Sequence, residues 1–489
     1  MLHSLRSTRR LSSLNVPKPP PTKLPPTKLP PTFAALASSS SSLSLSGSAS
    51  SLASLPSLIP SLLPHFEAPQ PDPRLVAATL QAFSSSSVPA APLYAAAASH
   101  SGHLVSSASP PTTASLLRAF SSAGFLAPQL FRAASSRAAP LLEHSHPAYA
   151  GVLRDFAGLR YRSAPLLAAA SAAARGFVGA SPPLLASALV SFAHLGATPP
   201  LFRLLEKPLL KGGPLHPLLE DGGAKASCGA LWSLCVLGLA GEKEALLRHL
   251  RARALERGGE VGPNEARQLL QADMHAEAAG IELPALPAEI LERAGEGGGE
   301  MRSAQEELCS ELLGELGFRH ESGLAALGGG GGEGWSTVDM GCAEKKVAVE
   351  YDGRFHFLTD VEVRGAKPRV EGGPTAAKRR LLESRGWRVV NVRYFEVDRW
   401  NQAAARDASE GGGGMEGGGG GGWRDEYKKF LSKKLKAKGI KIRHRKRTEH
   451  GTLFKTGRFV VTGVKEVDVE EEGAEFADAE IQASVELDL

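Results

Sequence analysis

A phenylalanine that returns at a near-constant interval constrains this chain more than any other feature. It stands at Phe83, Phe120, Phe156 and Phe192, with spacings of 37, 36 and 36, and Leu234 takes its place after 42. The flanks keep step. Leu80-Gln-Ala-Phe83-Ser-Ser matches Leu117-Arg-Ala-Phe120-Ser-Ser, and Ala188-Leu-Val-Ser-Phe-Ala-His-Leu-Gly196 matches Ala230-Leu-Trp-Ser-Leu-Cys-Val-Leu-Gly238. A second marker recurs in phase at Pro92-Leu-Tyr94, Pro128-Gln-Leu-Phe131, Pro165-Leu-Leu167 and Pro200-Leu-Phe202. Apolar residues such as Leu116, Leu117 and Phe120 share one helix face ahead of Gly124, Gly196 or Gly238. A glycine there suits a helix C-cap, and the proline suits the first turn of the next helix. One such pair cannot bury its apolar face alone. The period therefore predicts an α-solenoid of stacked helical-pair repeats over residues 67–260.

The ends of the chain read differently. Residues 1–66 hold Arg6, Arg9, Arg10, Lys18, Lys23 and Lys28 and no acid before Glu67. A basic, Ser-rich, acid-free start whose apolar run is broken by Arg9 and Arg10 predicts an organelle transit peptide rather than a secretory signal. The Pro-rich and Ser-rich tracts after it predict a disordered linker to residue 66. The expected destination is the mitochondrial matrix, with a plastid as the alternative. Four cysteines without CxxC or His-paired spacing exclude a disulfide scaffold and the usual zinc modules. The best apolar stretch, Ala230 to Ala240, falls far short of the ~18 residues of a membrane span.

Beyond the repeats, Asn264 is positioned to cap a helix that stops at Gly280, and a Gly/Glu linker completes residues 261–300. Ser303-Ala-Gln-Glu306 is a capping box that opens a helix with Leu308, Leu312, Leu313 and Leu316 on one face. Trp335-Ser-Thr-Val-Asp339, Lys346-Val-Ala-Val-Glu-Tyr351 and Trp387 to Tyr394 read as strands. Lys378 to Gly386 and Tyr427 to Lys438 read as helices. The order α-β-β-α-β-α predicts a small α/β domain over 301–437. A basic segment follows at 438–464. The last 25 residues, 465–489, carry ten acids against Lys465 and predict a disordered tail. Arg424 to Arg447 holds twelve Lys or Arg and two acids, with Trp423, Tyr427 and Phe430 at its start. That pattern suits phosphate contact by Lys428, Lys429, Lys433 and Lys434, with the aromatics stacking on bases.

Two resemblances follow from these residues. The repeats resemble the degenerate helical repeats of octotricopeptide-like organellar RNA-binding proteins. That implies phosphate contacts from arginines such as Arg118, Arg132, Arg154, Arg160 and Arg203. Val347-Ala-Val-Glu-Tyr-Asp-Gly-Arg-Phe-His-Phe357, Lys378-Arg-Arg-Leu-Leu-Glu-Ser-Arg-Gly-Trp-Arg-Val-Val390 and Tyr394-Phe-Glu396 resemble the RAP domain. In that family the domain lies behind helical repeats and an organelle presequence, and the FAST kinase-like proteins share it. The insertions at Gly328–Gly332, Val361–Gly373 and Gly411–Gly422 are expected to be loops.

The RAP domain is similar to restriction-endonuclease-like folds, which implies a candidate site. Asp339 and Glu350 would be metal ligands, and Asp339, Glu350, Asp352, His356 and Lys378 the candidate catalytic set. The usual lysine two residues after the Glu is Asp352 here, so Lys378 would have to replace it. The structural alternative pairs Glu350 and Asp352 with Lys378 or Arg379. Lys378, Arg379 and Arg380, with the four lysines named above, form the candidate RNA-binding set. The expected function is that of an organellar RNA-binding protein in RNA processing, RNA stability or ribosome assembly. Its repeats would read single-stranded mRNA or rRNA and its RAP domain would clamp it. The alternatives are a metal-dependent endoribonuclease and a protein scaffold in an organellar ribonucleoprotein complex. No cofactor is implied, apart from Mg²⁺ for the nuclease.

Overall fold

A computed structural model describes residues 55–143, 145–211, 216–220, 222–296, 302–327, 337–365, 367–409 and 422–441. The Gly328 and Gly411 tracts, the basic run past Lys441, the acidic tail and residues 1–54, which include the expected transit peptide, lie outside the described residues.

The described chain is mostly helical, with a small mixed sheet in its C-terminal part. Six long helices pack one on the next in chain order: Pro73–Ser85, Pro110–Ser122, His146–Gly158, Pro182–His194, Ala224–Val236 and Pro263–Ala278. The markers are their core. Phe83, Phe120, Phe156, Phe192 and Leu234 are at most 1% exposed. The side chains of Asp72, Ser109 and Ser145 accept backbone N–H bonds and cap the first three, each with proline in its first turn. Other helices, among them Ala91–Ser99, Pro128–Ser135, Ala164–Ala173, Leu201–Lys211 and Glu244–Glu256, lie between these six in sequence. Tyr94 donates its hydroxyl to the Leu80 carbonyl of its own unit at 3.0 Å, with the Ala119 carbonyl of the next unit 3.4 Å away.

Each of the first five long helices ends in the same way. The residue four past the marker has positive φ: Ser87, Gly124, Arg160, Gly196 and Gly238. Glycine adopts this left-handed cap without cost, whereas Ser87 and Arg160 hold it against the Cβ penalty. Gly280 has the same conformation, so the Pro263–Ala278 helix continues the series past residue 260. Its N-cap is Gly262, with Pro263 opening the first turn, and not Asn264.

Residues 55–66, expected within the disordered linker, are a helix, Leu55–Phe66. Leu62 and Phe66 are buried, and the helix packs on Ala91–Ser99. The array supplies apolar cover that the Ser/Pro-rich composition alone did not suggest.

Among the described residues there are seven strands: β1 Tyr161–Arg162, β2 Glu321–Ala325, β3 Thr337–Cys342, β4 Val347–Asp352, β5 Phe357–Asp360, β6 Val370–Glu371 and β7 Arg388–Arg393. The main sheet has the order β2-β3-β4-β7, with β4 and β7 parallel and the other pairs antiparallel. Helix Gly373–Ser384 precedes β7 and packs on it, and β4 is buried along its whole length. The capping box opens helix Ala304–Glu315 as the sequence predicts. Three elements are additional to the predicted order: β2, the β5–β6 pair and helix Tyr394–Ser409, which buries Val397 and Trp400.

The segment around 361–373, expected to be a loop, joins the sheet region to the array. β5 pairs in parallel with β1 and antiparallel with β6. Arg132 Nε donates to the Val361 carbonyl. Glu362 accepts from Ser135 Oγ at 2.6 Å and Ser163 Oγ at 2.7 Å. Next to it, helix Gly373–Ser384 lies on the outer face of Ala224–Val236, where Ala377 packs with Ala193, Trp232 and Val236. Gly373 is required by this approach, since a Cβ there would overlap the carbonyl oxygen of Ala193.

Candidate nucleic-acid interface

The polar heart of the sheet region forms where β3, β4 and β7 meet. The Met340–Val349 pair sets a register that brings Asp339 opposite Glu350. Tyr351 N–H donates to Asp339 Oδ2 at 2.6 Å. Glu350 and Asp352 share a strand face because strand side chains alternate. Asn391 on β7 donates to Asp352 Oδ2 at 2.7 Å. Lys378 reaches in from helix Gly373–Ser384 and its Nζ sits 2.7 Å from Glu350 Oε2. The five residues proposed from sequence are thus brought to one place, His356 included, whose Nδ1 lies 3.5 Å from Asp352 Oδ1.

Burial governs the electrostatics here. Glu350 is 6% exposed, and desolvation pushes its carboxyl up to about 8. Lys378 draws it back, while Asp339 and Asp352 push it further. Asp352 is raised to about 6 by burial, partly offset by the Asn391 hydrogen bond. Burial lowers the His356 pKa. Glu350 Oε1 is buried without a hydrogen-bond partner.

The fit to a divalent ion is poor. Mg²⁺ asks for carboxylate oxygens open to it in near-octahedral array. Here the Lys378 ammonium takes one oxygen of Glu350, and a backbone N–H takes one of Asp339. Among the described residues, no three His, Cys, Asp or Glu side chains are gathered as metal ligands. The observed pair is the one expected of a tie between strand and helix.

The sequence model of the RAP domain matches residues 349–408, which run from β4 into helix Tyr394–Ser409 and hold every member of this cluster except Asp339 on β3. The chain carries a RAP domain in its C-terminal part. RAP domains are generally associated with RNA binding. Comparison with curated proteins returned no match.

Within the RAP domain and its flanks, the candidate RNA-binding residues divide into two groups. Arg379 pairs with Glu371 at 2.8 Å, and Arg380 donates to the Val236 carbonyl across the junction with the array. Helix Gly422–Ala437, outside the matched residues, turns Tyr427, Leu431 and Leu435 inward. Tyr427 is fully buried and stacks on Trp400, with centroids 5.1 Å apart. Trp423 and Phe430 are half-buried against the same core, so Tyr427 is structural where base stacking was expected. Lys428 is paired with Glu315 at 3.1 Å and Asp425 at 2.9 Å, and Lys434 with Glu396 at 2.8 Å. Lys429 and Lys433 are exposed, as are Lys436, Lys438 and Lys441.

The repeat arginines divide in the same way. Arg118 binds the buried Asp155 of the next unit at 2.9 Å. Arg132 and Arg160 serve the junction, Arg160 with its Nη1 3.3 Å from His194 Nδ1 and its carbonyl accepting from Thr359 N–H. Arg154 and Arg203 are exposed.

Proposed function

We propose that this protein binds single-stranded RNA in an organelle, most directly the mitochondrion, and acts there in processing or stabilising mRNA or rRNA or in ribosome assembly. The RAP match carries the reading. Three features support it. A row of exposed lysines, Lys429, Lys433, Lys436, Lys438 and Lys441, follows the domain and suits contact with phosphates. The six stacked long helices suit an α-solenoid, whose extended surface accommodates a polymer. The acid-free start of the sequence suits an organelle address. In this reading the RAP domain is a restriction-endonuclease-like fold in which the Lys378–Glu350 pair fastens helix to strand, and it clamps RNA without cutting it.

The test is crosslinking in living cells, followed by purification of tagged protein from organelles and sequencing of the bound RNA. Enrichment of organelle transcripts over an untagged control is expected. Absence of enrichment, or enrichment of cytosolic RNA, contradicts the proposal.

A further inference from the structure

Phe355 is 78% exposed, more than Leu210, Val363, Leu126 or Val370, the other large apolar side chains open to solvent among the described residues. It is the one aromatic in that group. Exposure of a whole phenyl ring forgoes the gain of burial. The backbone nevertheless holds it outward. Phe355 is the middle residue of a short 3-10 turn, Arg354–His356, and its neighbour Phe357 is 2% exposed and packs on Phe395 with centroids 5.2 Å apart. His356 N–H donates to Gly353 O at 3.0 Å, and Gly372 N–H donates to His356 O at 2.9 Å. The His356 ring lies 3.3 Å from Thr375 Oγ1. A turn tied on both sides presents the ring in a fixed place.

The surroundings are basic, and they lie at the junction of array and RAP domain. Arg354 is exposed, and its charge acts on the hydroxyls of Tyr161 in β1 and Tyr394 in the RAP domain. Around His356 the charges are mixed: Asp339 acts on it most, against Lys378 and Arg160, and Lys378 is itself paired with Glu350. Arg369, exposed beside β6, sits over the Phe395 ring at 5.5 Å. The nearby acids are engaged: Asp352 with Asn391 and His356, Glu371 with Arg379, Glu362 with the two array serines. An aromatic face beside cationic side chains matches a nucleobase and its phosphate, whereas an apolar protein partner would ask for a wider apolar patch.

We propose that Phe355 is a stacking platform for one base of a single-stranded RNA that passes from the array onto the RAP domain, with Arg354 on the adjoining phosphate. This rests on the RNA-binding reading above. Base–aromatic stacking tolerates any base, so the platform anchors the strand without reading its sequence.

The experiment is fluorescence anisotropy of a labelled single-stranded oligoribonucleotide with full-length protein, comparing wild type, Phe355→Ala, Phe355→Trp and Leu210→Ala at several salt concentrations. Phe355→Ala is expected to weaken binding about 5- to 150-fold, the range of one lost stacked base. The salt slope should stay unchanged, because no charge is lost. Phe355→Trp should bind as wild type does, and so should Leu210→Ala. Wild-type binding that Phe355→Ala leaves intact overturns the platform while RNA binding stands, and redirects the residue to a protein contact. A loss that Phe355→Trp does not restore also overturns it. Failure of the wild type to bind any single-stranded RNA overturns both the platform and the reading beneath it.

Discussion

The first three long helices and the fifth share one core pattern and differ in what covers their outer face. Two residues before the marker stand Gln81, Arg118 and Arg154 in the first three units, and Val190 and Trp232 in the next two. Two residues after it stand Ser85, Ser122 and Gly158, and then His194 and Val236. Gln81, Ser85, Ser122, Arg154 and Gly158 are exposed. Trp232 and Val236 are 7% and 3% exposed, and helix Ala224–Val236 is buried all round except at Lys225, because the RAP helix Gly373–Ser384 lies on it. The repeat thus fixes the core, while two outward positions per unit decide whether the face stays polar and open or becomes a dock.

The largest effect should come from forcing the docked face apart. Gly373→Val drives a branched side chain into the Ala193 carbonyl and should cost about 1–3 kcal/mol or more, read as a lower melting temperature. Gly102→Ala, where a Cβ meets nothing, should instead stabilise by about 0.5 kcal/mol. Equal melting of Gly373→Val and wild type would remove the distinction between the regions.

Acid and base should separate them next. In the docked region His194 and His275 are held down at about 4 by burial, helped by Arg160 and Arg380 respectively. A folded pKa below the unfolded ~6.5 means stability present above pH ~6.5 and lost as pH falls toward 4. His194→Gln should remove about 1–3 kcal/mol of that acid loss in melts taken from pH 7 to 4.

In the open region the sign reverses. Burial raises Asp155 to about 7 despite Arg118. Its contribution is present below pH ~4 and is lost as pH rises through about 7. Arg118→Ala removes the offsetting charge and should cost about 1–3 kcal/mol, more at pH 8 than at pH 5. A pH-independent cost would mean the pair is not felt by the fold.

The smallest effect on stability belongs to the exposed lysines. Lys429→Ala with Lys433→Ala should leave melting within ~0.5 kcal/mol. RNA binding should lose ~0.7 of log–log salt slope for each phosphate contact removed. An unchanged slope would assign both lysines to the solvated face alone.

Legibility followed the range of the interactions. Phe83 to Leu234 and the cap glycines are local periodic signals, and the sequence displays them directly. The β4 motif and the Lys378 helix are likewise contiguous strings. The β1–β5 pairing was hidden because Tyr161 and Thr359 are distant in sequence and each strand is too short to carry a pattern. Arg132, Arg160 and Arg380 resembled phosphate ligands for the same reason: their carbonyl and histidine partners lie across the junction. Trp423, Tyr427 and Phe430 sit among lysines in sequence, yet the 3.6-residue period turns Tyr427 onto Trp400. The docked face also leaves a local signal. Ala224 to Val236 carries a single charge, and a helix apolar all round needs cover on every side.

The most direct measurement is photocrosslinking of the purified full-length chain to single-stranded RNA, with the crosslinked peptides mapped by mass spectrometry. The account predicts crosslinks on the open helices around Gln81, Ser122 and Arg154, at the Arg354–His356 turn and along the Lys429–Lys441 face, and none within Ala224–Val236. Crosslinks absent from all of these, or concentrated on the docked helix, would contradict it.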